Sequence, residues 1–409
     1  MHIVVLSTYP EKDEIHGKQT VGSASYTKNT LLHLTKHYPE YTFSVYAEHF
    51  IDKNTEATSH STYTQGNTTI RRSWVRNNPL SVLGSLFTAI GEAKKRQTIL
   101  LLPFEAYTFG GILTTGLLLV TIAVLRHMFS IRIITVIHQV VSDFSTLEKN
   151  RIKRALLSAG NTVLQYLLLA GSTQYVVFEE FLLTQLPDKG KRGTVIPHAV
   201  ESLPHITQLK ARNKLKLDAN TTYVLYFGYI SPYKGVADLL KQWSPTPGYQ
   251  LIIAGAANPN HASNKEYMSY VENVQRLASE KNVITTGFLE ENEIPLYFAA
   301  VNYLILPYKL FMSSSGPLSL AFSMGLPVLL SQPLSVYAKS KDIREALQQE
   351  SIDENALTID MRLQCIPQLE AKNGIYSRLK SFSSRMQTSR SWDVVAKQYH
   401  KLFSAVGRV

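Results

Sequence analysis

Short, uninterrupted apolar runs recur along the chain, separated by stretches whose apolar residues return every three or four positions. HIVVLS, TFSVYA, QTILLLP, IRIITVIH, TQYVVF and GTVIPH are the runs of the first half; TYVLYFG, YQLIIAG, KNVITTG, VNYLILP and LPVLLS are those of the second. An apolar run of this length with no polar alternation predicts a strand buried on both faces. Segments between them, such as Ala24 to His37 and Ser81 to Lys95, carry the helical period. Strand and helix alternating in this way predict parallel sheets with helices on both faces. One stretch breaks the rhythm: Val200 to Thr222 has no comparable apolar strand and is rich in lysine and arginine, which predicts a domain junction. Two doubly wound α/β domains would then face each other across a cleft at the carboxyl ends of their strands, where ligands of such sheets bind. No repeat, low-complexity tract or long charge run interrupts the pattern.

After VNYLILP (Val301 to Pro307) comes SSSGPLSLAFSMGLPVLLS, Ser313 to Ser331. Leu318, Ala321, Phe322 and Gly325 stand at i, i+3, i+4 and i+7, with Pro317 placed for a first helical residue and Gly325 for the exit. A buried strand passing through serines and a glycine into a short helix points free N–H groups and a positive dipole end at one spot. An anion could sit there, although the same residues also suit an ordinary helix cap. A second loop of this kind lies in YFGYISPYKG, where Lys234 and Gly235 precede a helix. Its lysine can set an ammonium beside an anion; a solvated surface lysine is the alternative. Two loops of one sheet converging on a diphosphate make a stronger case than either alone.

Composition narrows the partners. The 409 residues are 44% hydrophobic and 18% charged, the proportions of a globular protein with room for two or three domains. The formal net charge is +11, yet residues 1–200 hold 20 basic and 14 acidic side chains and the remainder 22 and 17. An excess spread over both halves fits attraction to anionic lipid or phosphorylated substrates better than a nucleic-acid groove. The single cysteine, Cys365, can make neither an internal disulfide nor a metal cluster, which points to a reducing compartment. MHIVVLSTYP lacks a basic leader region and reads as a first strand, so we expect a cytoplasmic protein. With no D-x-D, H-E-x-x-H or cysteine pair, no metal is expected. No G-x-G-x-x-G follows the first strand and no G-x-S-x-G occurs, against a dinucleotide oxidoreductase and an α/β hydrolase.

Thr108 to Leu125, TFGGILTTGLLLVTIAVL, runs 18 residues without a charge, the lower limit for a helix that spans a bilayer. Glycines and threonines dilute it, and a strand-like run follows. Ala155 to Gly171 is a second apolar stretch, preceded by the basic cluster RIKR, Arg151 to Arg154. Both read as helices of a soluble domain with one face toward a membrane, which places the protein peripherally on the inner leaflet.

In order and spacing, these segments resemble glycosyltransferase family 4, retaining enzymes of the GT-B fold that use nucleotide-diphosphate sugars. The resemblance runs from VVLSTYP through VGSASYTKNTLLHL, TVIHQV, TVIPHAV, YFGYISPYKG, NVITTGFLEENEIPLYFAAVNYLILPY and SSSGPLSLAFSMGLPVLLS to SWDVVAKQYHKLF. It implies an acceptor-side Rossmann-like domain at residues 1–205 and a nucleotide-sugar-binding one at 206–390. Residues 391–409 would form a helix packing back on the first domain. Gly22 would keep part of a glycine-rich first loop, His138 would meet the donor sugar or its phosphate, with a packed histidine bonded to backbone as the alternative, and Lys234 would meet the donor diphosphate. Phe288 and Leu289 match positions that hold the nucleotide base. Ser313, Ser314, Ser315, Gly316, Pro317 and Leu318 resemble a serine-glycine version of the family's phosphate loop. Tyr229 stands where an arginine commonly accompanies the lysine and is expected to line the cleft. The paired glutamates of the family's E-x7-E element fall on Met312 and Leu320, so both carboxylates are missing and donor-sugar recognition is expected to be altered or lost. His198 is expected to be structural. The activity implied is retaining transfer of a hexose from a UDP- or GDP-linked sugar to a glycan or lipid-linked acceptor, as in polysaccharide biosynthesis. An anionic membrane surface is an expected partner; a cofactor and nucleic acid are not. The alternatives are a catalytically silent GT-B scaffold, which the missing glutamates favour, and a nucleotide-sugar epimerase.

Overall fold

The computed structural model describes residues 1–12, 22–49, 62–106, 108–201, 203–258, 261–358 and 374–407. Its first sheet has eight strands: β1 (His2–Leu6), β2 (Thr42–Glu48), β3 (Thr62–Gln65), β4 (Thr68–Trp74), β5 (Ile99–Phe104), β6 (Arg132–Ile137), β7 (Gln174–Val177) and β8 (Gly193–Val195). They lie in the order β3-β4-β2-β1-β5-β6-β7-β8, with β3 and β4 antiparallel and the other neighbours parallel. The second sheet comprises β9 (Thr222–Phe227), β10 (Tyr249–Ala254), β11 (Ile284–Thr285), β12 (Tyr303–Leu306) and β13 (Val328–Leu330). Its order, β11-β10-β9-β12-β13, is parallel throughout. Every residue of β5 and β12 is buried, the expected fate of an apolar run covered on both faces. Two doubly wound sheets are what the sequence pattern predicts.

The strand TTIRRSW, β4, was not among the predicted ones. It buries every second residue, Thr68, Ile70, Arg72 and Trp74, and so has no apolar run. Arg72 is buried because its guanidinium donates to the carbonyls of Tyr9, Glu48 and Pro10. An arginine satisfied in this way is invisible to a search for apolar periodicity.

The longer crossover helices of the first sheet are α1 (Gly22–His37), α2 (Pro79–Lys95), α3 (Ile112–Phe129) and α4 (Arg151–Gly171). The apolar stretch Thr108 to Leu125 enters α3 four residues late. Phe109 is buried ahead of the helix, and Gly110 turns the chain at φ 134°. The basic cluster Arg151 to Arg154 lies inside the first turn of α4, capped by the Asn150 side chain. α3 joins the directly paired, parallel β5 and β6 and so runs back along the sheet as their crossover. The two helices touch closely enough that a Cβ on Gly171 would stand 2.7 Å from Ile122 Cγ2.

Beyond the second sheet and a helix Ile375–Ser389, the chain returns to the first domain. Val200 N–H donates to the Arg390 carbonyl at 2.8 Å, and helix Trp392–Gly407 packs on α1. Trp392, Val395, Tyr399 and Phe403 are buried there with Tyr26, Leu31 and Leu34.

Candidate functional site

β9 ends at Phe227, and Gly228 turns the chain at φ 121°. A 3-10 turn, Pro232–Lys234, leads to Gly235 at φ 72°, where helix Val236–Gln242 begins. A Cβ on Gly235 would collide with the Pro307 carbonyl oxygen beyond β12, so this turn is locked against the neighbouring strand. The lock draws Lys234 back toward its own strand. Its Nζ lies 3.0 Å from the point where a Gly228 Cβ would stand, and Pro317 Cγ lies 3.9 Å from that point. The ammonium sits over the Tyr308 ring, 5.8 Å from its centroid. Gly228, Lys234 and the start of helix Gly316–Ser323 therefore meet at one spot. Desolvation there pulls the Lys234 pKa down to about 8, and among the described residues the ammonium has no paired anion.

Helix Gly316–Ser323 begins where the serines predict. The Ser315 hydroxyl accepts the Leu318 N–H at 3.4 Å, Pro317 occupies the first turn, and Gly325 exits at φ 59°. First-turn N–H groups have no partner within a helix. A Cβ on Gly316 would meet nothing within 4 Å, so open space adjoins the helix start. The three serines are not equivalent. Ser315 caps, Ser313 is half-buried, and Ser314 donates its hydroxyl to Glu179 Oε1 of the first domain at 3.0 Å. Leu318 is buried beneath them.

Tyr229 follows Gly228 just past the end of β9. Its ring stacks on Phe288, centroids 6.3 Å apart and planes 28° from parallel. Gly287, at φ 72°, turns the chain just before, leaving Phe288 46% exposed and Leu289 buried. Met312 sits at the domain interface: its carbonyl accepts the Val140 N–H at 2.9 Å, and its sulfur lies 3.6 Å from Gln139 Nε2. Leu320 is half-buried on the short helix.

On the first-domain side, His138 follows β6 and its N–H donates to the Phe104 carbonyl at 2.8 Å. Its ring stands edge-on to Tyr26 and Phe178 at 5.3 and 5.0 Å. Burial, helped by His198, brings its pKa down to about 3, so the imidazole is neutral at pH 7. Its Nε2 is buried and has no hydrogen-bond partner among the described residues. His198 Nδ1 lies 3.0 Å from the Ala199 carbonyl oxygen, and its ring packs on Tyr26. Gly22 is exposed at the start of α1, with open space around it; Val21, the other residue of that loop, lies outside the described residues.

Sequence reasoning missed the node that joins the domains. Glu179, fully buried at the end of β7, takes two hydrogen bonds from Arg390 at 2.6 and 3.0 Å. It also accepts the hydroxyls of Ser314 and Ser340, at 3.0 and 2.6 Å. Asp342 binds the same guanidinium at 2.7 and 3.0 Å. Burial alone would lower the Arg390 pKa; Glu179 and Asp342 outweigh it, and the group stays charged. The one local signal was a glutamate directly after the strand run TQYVVF.

The outer faces of α3 and α4 are apolar and uncovered. Ile112, Leu113, Ile152 and Leu156 are 64%, 69%, 74% and 68% exposed, beside the exposed Arg151 and Lys153. Neither helix carries an acidic residue. α3 is the one helix among the described residues long and apolar enough to cross a membrane, and 28% of it is buried. Crossover helices start near the carboxyl ends of the preceding strands, so this tip lies on the cleft side of the first sheet.

Residues 207–346 match the family model of glycosyl transferases group 1. No curated protein sequence matches the chain significantly. Among solved structures it is similar to sucrose-phosphate synthase from Thermosynechococcus elongatus, with a TM-score of 0.70 at 18% identity over 99% of both chains. It is also similar to Anabaena Alr3699/HepE in complex with UDP-glucose (TM-score 0.59, 15% identity, 99% of this chain and 100% of that one). A third is the E. coli trehalose-6-phosphate structure bound with UDP-2-fluoro glucose (TM-score 0.63, 10% identity, 100% of this chain and 99% of that one). At such identities the likeness establishes the two-domain GT-B fold, and the family match falls on the half that carries Lys234 and the serine loop. The chain accordingly has the GT-B fold, and its residues 207–346 resemble the glycosyl transferases group 1 domain.

Proposed function

We propose that the protein transfers a hexose from a UDP-linked sugar, with retention at the anomeric carbon, to a glycan or lipid-linked acceptor at an anionic membrane surface on the cytoplasmic side. The observation that carries the reading is the meeting of Lys234, Gly228 and the N-terminus of helix Gly316–Ser323 beside open space. A diphosphate there would receive the ammonium from one side and first-turn N–H groups from the other. The same contacts stabilise the diphosphate as it departs, so catalysis is mainly electrostatic. Tyr229 and Phe288 offer a stacked aromatic face to the base, with Leu289 beneath. His138, neutral, can exchange a hydrogen bond but no charge with the donor sugar. The neighbours solved with UDP-glucose and UDP-2-fluoro glucose support a UDP-linked donor.

The test is calorimetric titration with UDP and GDP, followed by incubation with a panel of nucleotide sugars and anomeric analysis of the product by NMR. Binding of neither nucleotide refutes the reading. Binding without donor consumption supports a silent scaffold, a reading favoured by Met312, whose thioether stands where the resemblance implies a carboxylate. Formation of an epimer would indicate the epimerase.

The uncovered face of α3 and α4 supports the membrane part of the proposal, since apolar side chains beside cations and no acids complement an anionic leaflet. The protein should sediment with phosphatidylserine-containing vesicles at low salt and be released at high salt. Lack of sedimentation at low salt refutes it, and the double change Ile152→Glu, Leu156→Glu should abolish it.

A further inference from the structure

Away from the cleft, two histidines and an aspartate come together where the C-terminal helix meets the first domain. α1 ends in HLTKH, which sets His33 and His37 one turn apart on one face of the helix. Helix Trp392–Gly407 starts against that face. The Ser391 hydroxyl accepts the Val394 N–H at 3.4 Å and fixes the entry of the chain. The buried Trp392 ring then stacks on His33, centroids 5.1 Å apart and planes 6° from parallel. Asp393 follows at once, and its Oδ1 lies 2.7 Å from His37 Nε2. One ligand atom from each of His33, His37 and Asp393 lies within 4.8 Å of the other two. His33 Nδ1 is buried with no hydrogen-bond partner among the described residues, and such atoms are normally satisfied.

We infer that His33, His37 and Asp393 form a three-ligand site for a divalent transition-metal ion, zinc foremost, which clasps the C-terminal helix to α1. Zinc bonds of about 2.0–2.2 Å in a tetrahedron set the ligand atoms roughly 3.3 Å apart. The His37–Asp393 pair stands just inside that spacing and His33 within reach of it, so rotation of the side chains builds the site on the backbone as it lies. Water completes the tetrahedron. The donor set selects the ion: two imidazoles to one carboxylate suit zinc, cobalt, nickel or copper, whereas magnesium and calcium take oxygen. Lys36, on the same turn, acts electrostatically on both His33 and Asp393, so charge alone does not hold a cation here and the imidazole nitrogens must. The role is structural. α1 runs from Gly22, on the cleft side, to His37, and at 1.5 Å per residue its far end lies about 22 Å away. The expectation of no metal rested on contiguous motifs; His37 and Asp393 are 356 residues apart, beyond the reach of any such motif. The inference is independent of the transferase reading.

The experiment is calorimetric titration of the full, metal-free chain with Zn2+ in millimolar Mg2+, and titration with Co2+ read by tryptophan fluorescence. One Zn2+ should bind per chain, and Co2+ should quench Trp392, which stacks on a ligand. His33→Gln, His37→Gln and Asp393→Asn should each weaken Zn2+ about tenfold or more, since even a lost outer-shell partner can cost that much. Asp393 is 60% exposed, so Asp393→Asn keeps the fold even where His33→Gln does not. The inference is overturned if no Zn2+ binds in the presence of Mg2+, or if Co2+ binds without quenching. It is equally overturned if the folded variants bind Zn2+ as the parent does, which would mean an adventitious ion only, on scattered histidines. Failure of the parent to bind UDP would end the transferase reading and leave this site untouched.

Discussion

Lys234 provides the sharpest test, because its depressed pKa makes its contribution to nucleotide binding titratable near neutrality. In the free protein the ammonium is held at about pKa 8 by desolvation. A charge-assisted hydrogen bond contributes ~1.5–3 kcal/mol, so Lys234→Ala should weaken UDP binding roughly 10- to 150-fold at pH 7. Linkage requires that the same energy raise the lysine pKa in the complex by ~1–2 units. Protonation favours binding, so the advantage of the parent protein is complete below pH 8 and shrinks as pH rises through the free-state pKa. Between pH 7 and 9.5 the parent Kd should rise about 7- to 20-fold from this group alone. Uracil ionises in the same range, but Lys234→Ala experiences that ionisation equally, so the ratio of the two Kd values isolates the lysine. Isothermal calorimetry at pH 7, 8, 9 and 9.5 measures it. Equal affinities at pH 7 would show that the lysine does not touch the nucleotide. A ratio unchanged up to pH 9.5 would show that its ammonium is not desolvated in the free protein.

Three further outcomes are expected. Gly316→Val should leave thermal stability nearly unchanged, since its Cβ meets nothing within 4 Å, yet weaken UDP binding by filling the space beside the helix start; unchanged UDP affinity would empty that space of phosphate. Phe288→Ala should weaken UDP but not pyrophosphate, both by calorimetry, if its stack with Tyr229 receives only the base, as proposed. Arg390→Met leaves Glu179 buried without its cation and should cost about 3–5 kcal/mol in urea denaturation, and a loss below ~1 kcal/mol would mean the node is hydrated rather than dry.

The sheets were legible because their strands are apolar on both faces, and the serine loop because cap, proline and exit glycine act within a dozen residues. β4 was not, since Arg72 takes a core position by satisfying three carbonyls. Glu179 and Arg390 are 211 residues apart, so nothing local marks either as half of an ion pair. Lys234 and the serine loop are individually unremarkable; their meeting depends on Gly235 fitting under the Pro307 carbonyl, a contact that only the fold creates. The resemblance put Tyr229 at the cleft, but a match of positions does not tell that its ring stacks on Phe288. The Gly22 loop is only half visible, as Val21 lies outside the described residues, and so does Cys365.

The return of helix Trp392–Gly407 to α1 means that the protein cannot be divided by cutting its sequence once. A fragment ending near residue 205 would bare the apolar surface around Tyr26, Leu31 and Leu34 that Trp392, Tyr399 and Phe403 cover, and should be insoluble alone. Supplied in trans, a peptide of residues 391–409 should restore it. Chimaeras that exchange donor specificity with another GT-B protein therefore need two junctions, one near the Val200–Ser391 bridge on each strand of the crossing, so that the tail stays with the domain it completes.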